Sequence, residues 1–178
     1  MEIQAISGDI AQQRVGAIVV NIFEGVTSLD GATATVNQAI NGAISELIEE
    51  REIKGKKSEM TLIHTLGKLA PSRVLVAGLG KASELTLDTV RAVAGESCRY
   101  LRKIGVESVA TIAHGAGVGR LDIRNVGQAI AEGSILGSYR FDKYKSEDKA
   151  RRSIRELTIV EFDKDKVEAL KEGVADAV

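Results

Sequence analysis

The chain has 178 residues, of which 44% are apolar and none is tryptophan, and this size and composition fit a single α/β domain spanning residues 1–178. Its 24 basic and 25 acidic residues leave a net charge of -1, which argues against a general attraction to nucleic acid or to an anionic membrane. No apolar run reaches the roughly 18 residues of a membrane span, and no signal-peptide pattern opens the chain. With one cysteine, Cys98, we expect a cytoplasmic protein without a disulfide.

The first half of the chain alternates strand and helix patterns. Glu2–Ser7 and Ala17–Ile22 are β-prone runs, and the second is almost continuously apolar, as is typical of a strand covered on both faces. Apolar residues then recur at three- and four-residue spacing, which predicts one helix ending near Gly55. These residues are Val36, Ala39, Ile40, Ala43, Ile44, Leu47 and Ile48. Two further strands are predicted at Met60–Thr65 and Arg73–Ala77.

The second half continues the alternation. A helix is predicted from about Thr86 to Gly105, a strand at Val109–Ala113 and a second helix at Asn125–Ser138. A strand at Glu156–Phe162 and a helix from Lys164 to Val178 complete the order β-β-α-β-β-α-β-α-β-α. Because parallel neighbours need crossover helices, this order predicts a mixed, largely parallel sheet of about six strands between helical layers.

Two features near the C-terminal end concern packing. In the last predicted helix an apolar stripe recurs at helical spacing, and we expect part of its cover to be missing. The stripe consists of Val167, Leu170, Val174 and Val178. Tyr139 and Phe141 alternate in a segment of mixed charge, and local core is the favoured interpretation over an interface. The charged residues after them predict a solvated loop, with phosphate contacts through its Lys and Arg residues as the alternative.

Gly78-Leu-Gly-Lys81 follows a predicted strand and is a candidate anion-binding loop. Gly78 and Gly80 can expose backbone N–H groups, and Lys81 can add a positive charge. The pattern departs from a Walker A loop, since Leu75 stands where a glycine is needed and Ala82 where Ser or Thr is needed. A tight structural turn between strand and helix is therefore the favoured interpretation.

His114-Gly-Ala-Gly-Val-Gly-Arg120 follows another predicted strand. Gly115 and Gly117 would lie beside the first loop if both strands end at the same edge of the sheet, and the two loops would then share one crevice. His114 can orient a ligand or act as a base, but a histidine satisfied by local backbone is the favoured interpretation.

Patterns for metal binding and nucleophilic catalysis are weak. His64 and His114 are the only histidines, and no paired cysteine, HExxH or clustered carboxylate motif accompanies them, so no metal site is predicted in this chain. Cys98 is interpreted as an inert, partly buried thiol, although Arg99 and Arg102 are close in sequence. No catalytic residue is assigned.

Three segments carry a resemblance to a known family. They are Phe23-Glu-Gly25, Arg73-Val-Leu-Val-Ala-Gly-Leu-Gly-Lys81 and Glu132-Gly-Ser-Ile-Leu-Gly-Ser-Tyr-Arg-Phe-Asp-Lys-Tyr-Lys145. From about Val15 to about Lys145 the chain resembles the N-terminal domain of the cytosolic leucyl aminopeptidases (peptidase family M17), which implies a macro-domain-like three-layer α/β/α sandwich.

A shorter similarity points to the macro domains themselves, which bind ADP-ribose. Ile6-Ser-Gly-Asp-Ile10 and Val15-Gly-Ala-Ile-Val19 are similar to the start of those domains. The Asn-rich and poly-Gly phosphate loop expected next is absent, because Asn21-Ile-Phe-Glu-Gly25 and Ser28-Leu-Asp-Gly-Ala32 stand in its place.

The resemblance implies a non-catalytic N-terminal domain with an assembly and regulatory role in a metal-dependent enzyme that removes N-terminal amino acids from peptides. In that family two divalent metals (Zn or Mn) and the catalytic Lys and Arg belong to a C-terminal catalytic domain, which we expect to lie outside these residues. The implied partners are that domain of the same polypeptide and further copies in a hexamer. The alternative is a free-standing macro-like module that binds a nucleotide or another phosphate ligand.

Overall fold

The computed structural model describes residues 1–116, 121–139 and 153–178. Six strands are present in these residues: β1 (Glu2–Ser7), β2 (Ala17–Ile22), β3 (Met60–His64), β4 (Arg73–Gly78), β5 (Ser108–Ile112) and β6 (Glu156–Glu161). They form one sheet in the order β1-β6-β5-β2-β4-β3, in which only the β3–β4 pair is antiparallel. The prediction of a mixed, largely parallel sheet of about six strands is confirmed.

Helices cover both faces of the sheet. They are α1 (Gly31–Ala39), α2 (Ala43–Glu49), α3 (Leu87–Lys103), α4 (Ile123–Ser138) and α5 (Lys164–Ala177), with short 3₁₀ turns at Ile10–Gln12 and Ala82–Glu84. One core lies between the sheet and α3, α4 and α5, and the other lies between the sheet and α1 and α2. Val19 points into the first core, whereas Ile18 and Val20 point into the second, which explains the continuous apolar run of β2.

The single helix predicted to end near Gly55 is instead two helices, α1 and α2. The chain breaks between them because Asn41 (φ 59°) and Gly42 (φ 82°) adopt left-handed conformations. The side chain of Asn37 supports the break, since its Oδ1 accepts hydrogen bonds from the N–H groups of Ile44 (2.9 Å) and Ser45 (3.1 Å) at the start of α2. The apolar spacing survives the break, so Ile44 remains in the core.

The expectation that the stripe on α5 lacks cover is wrong for three of its four residues. Val167 and Val174 are buried, and Leu170 has no exposed surface; only Val178 is exposed, at 88%. The reason is the close contact between α5 and α4. A Cβ atom at Gly173 would overlap with the carbonyl oxygen of Arg124, so the two helix backbones approach each other directly and cover the stripe.

The aromatic segment is described only at its start. Tyr139 is 74% exposed, so the interpretation of this residue as core is wrong. It follows the last turn of α4, where its backbone N–H still bonds to the carbonyl oxygen of Ile135. Phe141, Tyr144 and the charged run at positions 140–152 lie outside the described residues.

Candidate functional site

A cavity of about 730 Å³ opens at the carboxyl ends of β1, β2, β5 and β6, and we call it the strand-end cavity. Ligands of open α/β sheets bind at this edge, because loops leaving neighbouring strands diverge there and leave a crevice. Much of the lining is apolar. The apolar lining includes Ile10, Ile22, Phe23, Val26, Leu29, Ile112, Ala113, Ala116, Val160 and Phe162.

The N-terminus of α1 forms one wall of the strand-end cavity. Asp30 occupies the N-cap position, but its carboxylate makes no capping hydrogen bond, and Gly31, Ala32 and Thr33 follow it along the wall. The hydroxyl of Thr33 donates to the backbone oxygen of Asn21 (2.9 Å), which joins α1 to the end of β2. The first N–H groups of the helix therefore lie close to the cavity.

The charged groups around the strand-end cavity are mainly acidic. Among the described lining residues, Asp9, Glu24, Asp30 and Glu161 carry negative charge and Lys166 carries positive charge, so four acids against one base give these residues a charge of -3. The carboxylate of Asp9 accepts from the N–H of Ala11 (2.8 Å) and so caps the first 3₁₀ turn. This charge favours cationic or hydrogen-bond-donating groups in a ligand.

Beneath the cavity, a buried polar chain joins β2 to β5. Asn21 Nδ2 lies 3.1 Å from His114 Nδ1, and His114 Nε2 lies 3.0 Å from Thr111 Oγ1. Burial lowers the pKa of His114 to about 4, so the imidazole is neutral near pH 7. The amide nitrogen of Asn21 can only donate, which assigns the proton to Nε2 of His114. His114 is thus satisfied, by side chains of Asn21 and Thr111 and not by local backbone as predicted.

The strand-end cavity includes part of one predicted loop. Gly115 lines it, as does Ala82 directly after Lys81, whereas Gly78, Gly80 and Lys81 are not among the lining residues. Gly117 lies outside the described residues. Ligand binding at these five residues stays a prediction.

The backbone of the Gly78–Lys81 segment is already occupied by protein partners. The N–H of Gly78 donates to Glu59 (2.8 Å), that of Leu79 to Ile22 (2.9 Å) and that of Gly80 to Gly55 (2.9 Å). A Cβ atom at Gly78 would overlap with the carbonyl oxygen of Lys56, so glycine is required there for packing. These contacts support the structural-turn interpretation.

Two of the segments that carry the family resemblance meet at this turn. The N–H of Glu24 donates to the carbonyl oxygen of Gly80 (2.9 Å). Gly55 (φ 71°) packs so tightly under Phe23 that a Cβ atom would meet the carbonyl of Phe23. The carboxylate of Glu59 holds this Gly55 loop by accepting from the N–H groups of Lys54 (2.8 Å) and Gly55 (2.7 Å).

The segments that contain Asp9, Asn21 and Asp30 were compared with the start and the phosphate loop of macro domains, but no binding site was predicted at these residues. Asp9, Asn21 and Asp30 each lie next to the end of an element at the carboxyl edge of the sheet, and that position was the signal that could have identified them as cavity residues.

The predicted inertness of Cys98 agrees with its 2% exposure and with the raised pKa that burial gives its thiol. In the described ranges, no three His, Cys, Asp or Glu side chains are grouped as metal ligands would be, and no helix is long and apolar enough to span a membrane.

Comparison with protein families assigns the chain. The model of the cytosol aminopeptidase family, N-terminal domain, matches residues 19–148. The chain belongs to this family. Among its relatives, a probable cytosol aminopeptidase of Alkaliphilus metalliredigens is 33% identical over 162 residues, which cover 90% of this chain and 32% of the relative. The chain therefore spans about a third of the length of the curated relatives that it matches, and the predicted family resemblance is confirmed.

Solved structures give the same fold. A mutant of tomato leucine aminopeptidase superposes with a TM-score of 0.76 at 18% identity, covering 97% of this chain and 35% of that one. The macrodomain of Trypanosoma brucei in complex with ADP superposes with a TM-score of 0.74 at 14% identity, covering 97% and 68%. The macro-domain-like three-layer sandwich is confirmed.

Proposed function

We propose that this aminopeptidase-family N-terminal domain serves assembly and regulation in a longer polypeptide whose C-terminal domain removes N-terminal amino acids from peptides. The observation that carries the proposal is the family match over residues 19–148, combined with a relative of which the aligned residues make up only 32%. In this proposal the parent is a cytoplasmic, hexameric leucyl aminopeptidase, and its two divalent metals, Zn or Mn, are held by the catalytic domain.

The chemistry of the described side chains supports a non-catalytic role for this chain. His114 is fully buried, both of its ring nitrogens are hydrogen-bonded, and its lowered pKa makes it a weak base. The thiol of Cys98 is buried and its pKa is raised, so it is a poor nucleophile. Peptide-bond hydrolysis therefore has no activated nucleophile or general base among these groups.

Activity assays on two polypeptides test the proposal. The 178-residue chain and the product of the complete reading frame are purified identically and assayed with leucine p-nitroanilide in the presence of Mn²⁺ or Zn²⁺. We expect turnover only from the complete product. Turnover by the 178-residue chain that survives repurification, or tight metal binding by that chain in calorimetry, would contradict the proposal.

A second candidate function is binding of a nucleotide or another phosphate ligand in the strand-end cavity. The N-terminal turn of α1 faces the cavity at Gly31–Thr33, and helix N-termini attract anions. The macrodomain neighbour of T. brucei was solved in complex with ADP. The lining charge of -3 opposes this candidate, because a diphosphate would have to approach four carboxylates.

Thermal melting in the presence of ligands distinguishes this candidate from a purely structural domain. A ligand that binds only the folded state must raise the melting temperature. If ADP or ADP-ribose binds, replacing Asp30 by Asn should increase the shift, since one opposing charge is removed at the helix N-terminus. The matched control is Glu50→Asn at the exposed end of α2, which removes a charge from a residue that does not line the cavity. The absence of any shift at millimolar ligand counts against this function.

A further inference from the structure

The turn between α1 and α2 is closed by two backbone hydrogen bonds. The N–H of Gly42 donates to the carbonyl oxygen of Asn37 (2.8 Å), and the N–H of Asn41 donates to that of Gln38 (3.1 Å). With Asn41 in the left-handed conformation (φ 59°), these bonds form a Schellman motif, a common helix end in which glycine usually takes the left-handed position. Here an asparagine takes that position, directly before a glycine.

The side chain of Asn41 is not held by the rest of the protein. It is exposed, and its amide forms no hydrogen bond with the described residues. Gly42 has no side chain to shield its own backbone nitrogen. Apart from its chain neighbours, no atom lies within 4 Å of the place where a Cβ of Gly42 would be. A free side-chain amide and an unshielded backbone nitrogen are therefore adjacent.

The other asparagines of the chain lack this combination. Asn21 and Asn37 have side-chain amides that are held by hydrogen bonds, and a residue larger than glycine follows each of them. Asn125 is exposed, but the next residue is the β-branched Val126, whose N–H is hydrogen-bonded in the first turn of α4. Of the four asparagines in the sequence, Asn41 is thus the one with a free amide and a following glycine.

We propose that Asn41 is a site of spontaneous deamidation, by ring closure onto the backbone nitrogen of Gly42. In the first step this nitrogen bonds to Cγ of Asn41, and the side-chain amide leaves as ammonia with the proton that the backbone nitrogen gives up. Water then opens the five-membered imide at either of its carbonyl carbons. The product is aspartate, or isoaspartate when the main chain comes to run through Cβ.

The Schellman motif sets the rate of this reaction. The hydrogen bond to Asn37 holds the nitrogen of Gly42, so ring closure requires the turn to open locally. The two helices are short, with nine residues in α1 and seven in α2, and helices of this length depend on contacts beyond their own hydrogen bonds. The side chain of Asn37 supplies such contacts at the start of α2. Removing them should increase the open population and accelerate deamidation.

Isoaspartate at position 41 would disturb the core between the sheet and the two helices. It adds one carbon atom to the main chain inside the ring that the bond between Gly42 and Asn37 closes. Ile40 and Ile44 are buried in the same core on either side of this turn, so the added atom changes their relative position. Both products also place a negative charge at the C-terminal end of α1, which is the unfavourable end of the helix dipole.

This inference goes beyond the proposed function, and its test requires no peptidase activity. The purified 178-residue chain is kept in solution at pH 6 and at pH 8, and ammonia release and peptide masses are followed with time. We expect conversion at Asn41 alone, with isoaspartate detected by an isoaspartyl methyltransferase. Conversion should be faster at pH 8, because the nitrogen of Gly42 must lose its proton to attack.

Three variants connect the reaction to the turn. Asn41→Gly removes the reacting amide and suits the left-handed position, so this variant should fold and release no ammonia from the turn. Asn37→Ala removes the side-chain bonds at the start of α2 and should accelerate conversion at least about threefold. Asn125→Ala, which removes an exposed amide from α4, is the matched control and should leave the rate unchanged.

Urea unfolding separates the effect of the charge from that of the added backbone atom. Asn41→Asp carries the charge alone, so the isoaspartyl chain should unfold at a lower urea concentration than this variant. A native chain that stays unconverted while the urea-denatured chain reacts overturns the proposal, as does conversion centred on another asparagine or an unchanged rate in Asn37→Ala. If Asn37→Ala does not fold, the position of the product and the Asn41→Gly variant still decide the matter.

Discussion

The amide of Asn21 and the imidazole of His114, 3.1 Å apart, fix each other beneath the strand-end cavity. Because Asn21 donates to Nδ1 and the opposite nitrogen bonds to Thr111, the imidazole is fixed in its neutral form. The bond to His114 uses one of the two N–H groups of the Asn21 amide. This pair therefore joins β2 to β5 at the edge of the sheet where the cavity opens.

Folding stability should fall as pH decreases from about 6.5 to 4. Burial lowers the pKa of His114 to about 4, below the 6.5 of an exposed imidazole, so the unfolded chain binds a proton more readily in this range. The contribution of neutral His114 to the free energy of unfolding is fully present above pH 6.5 and is lost progressively as the pH falls towards 4. The lowered pKa of His114 corresponds to a loss of about 3 kcal/mol in the free energy of unfolding. Urea unfolding at a series of pH values would measure this loss.

Two variants isolate the histidine from the carboxylates that also titrate at low pH. His114→Gln should be less stable at pH 7, because its hydrogen-bonded chain is disrupted, but its stability should vary less between pH 6.5 and 5. His64→Gln, at an exposed position at the end of β3, should retain the pH dependence of the original chain. An unchanged slope in His114→Gln would show that another group is responsible.

The contact between α3 and α4 should be sensitive to a single methyl group. A Cβ atom at Gly133 would overlap with the carbonyl oxygen of Arg91, and one at Gly137 would overlap with that of Gly95. Backbone cannot move aside as a flexible side chain can, so Gly133→Ala should lower the free energy of unfolding by about 3 kcal/mol, despite the higher helix propensity of alanine. Gly8→Ala is the control, because its Cβ would lie at an ordinary 3.4 Å from the end of the Gln13 side chain. Equal stabilities of the two variants would contradict the close helix contact.

Much of the fold was predictable because local periodicity reports burial directly. The continuous apolar run of β2 indicated a central strand, and the alternation of strands and helices indicated a largely parallel sheet. The break at Asn41 and Gly42 was not predictable from this signal, since the apolar spacing continues through it from Val36 to Ile44. The apolar stripe on α5 is buried because Gly173 lets α5 pack closely against α4. This contact joins segments that are distant in sequence, so the spacing of apolar residues within α5 does not predict it.

The candidate site was less predictable than the fold, because glycine has two roles that look alike in sequence. Gly78 and Gly80 allow close contacts with the loops at Gly55 and Phe23, whereas Gly115 lines the strand-end cavity. Spacing cannot distinguish a glycine that admits a ligand from one that admits another part of the backbone. The acidic lining combines Asp9 and the nearby Glu24 and Asp30 with Glu161 from the other end of the chain, so only folding brings these carboxylates together.

The side chain of Asn37 should be a local stability determinant. It accepts from two N–H groups at the start of α2, and its amide nitrogen donates to the hydroxyl of Ser45 (2.8 Å). Asn37→Ala removes all three bonds and should cost about 1–2 kcal/mol, which chemical denaturation can measure. Asn125→Ala, at an exposed position of α4 where only the backbone is bonded, should change stability by less than about 0.5 kcal/mol.

The thiol of Cys98 should report opening of the α3–α4 contact. It is 2% exposed and its pKa is raised by burial, with the hydroxyls of Ser134 and Ser138 nearby, so few native molecules present a thiolate to a reagent. We expect modification by a thiol reagent at pH 8 to be at least about a thousandfold slower in the native chain than in denaturant, because reaction requires local opening. A Glu50→Cys variant supplies an exposed thiol that should react at once, leaving the slow phase to Cys98. In Gly133→Ala, which forces α3 and α4 apart, the slow phase should accelerate; a native rate equal to the denatured one would contradict the buried position of Cys98.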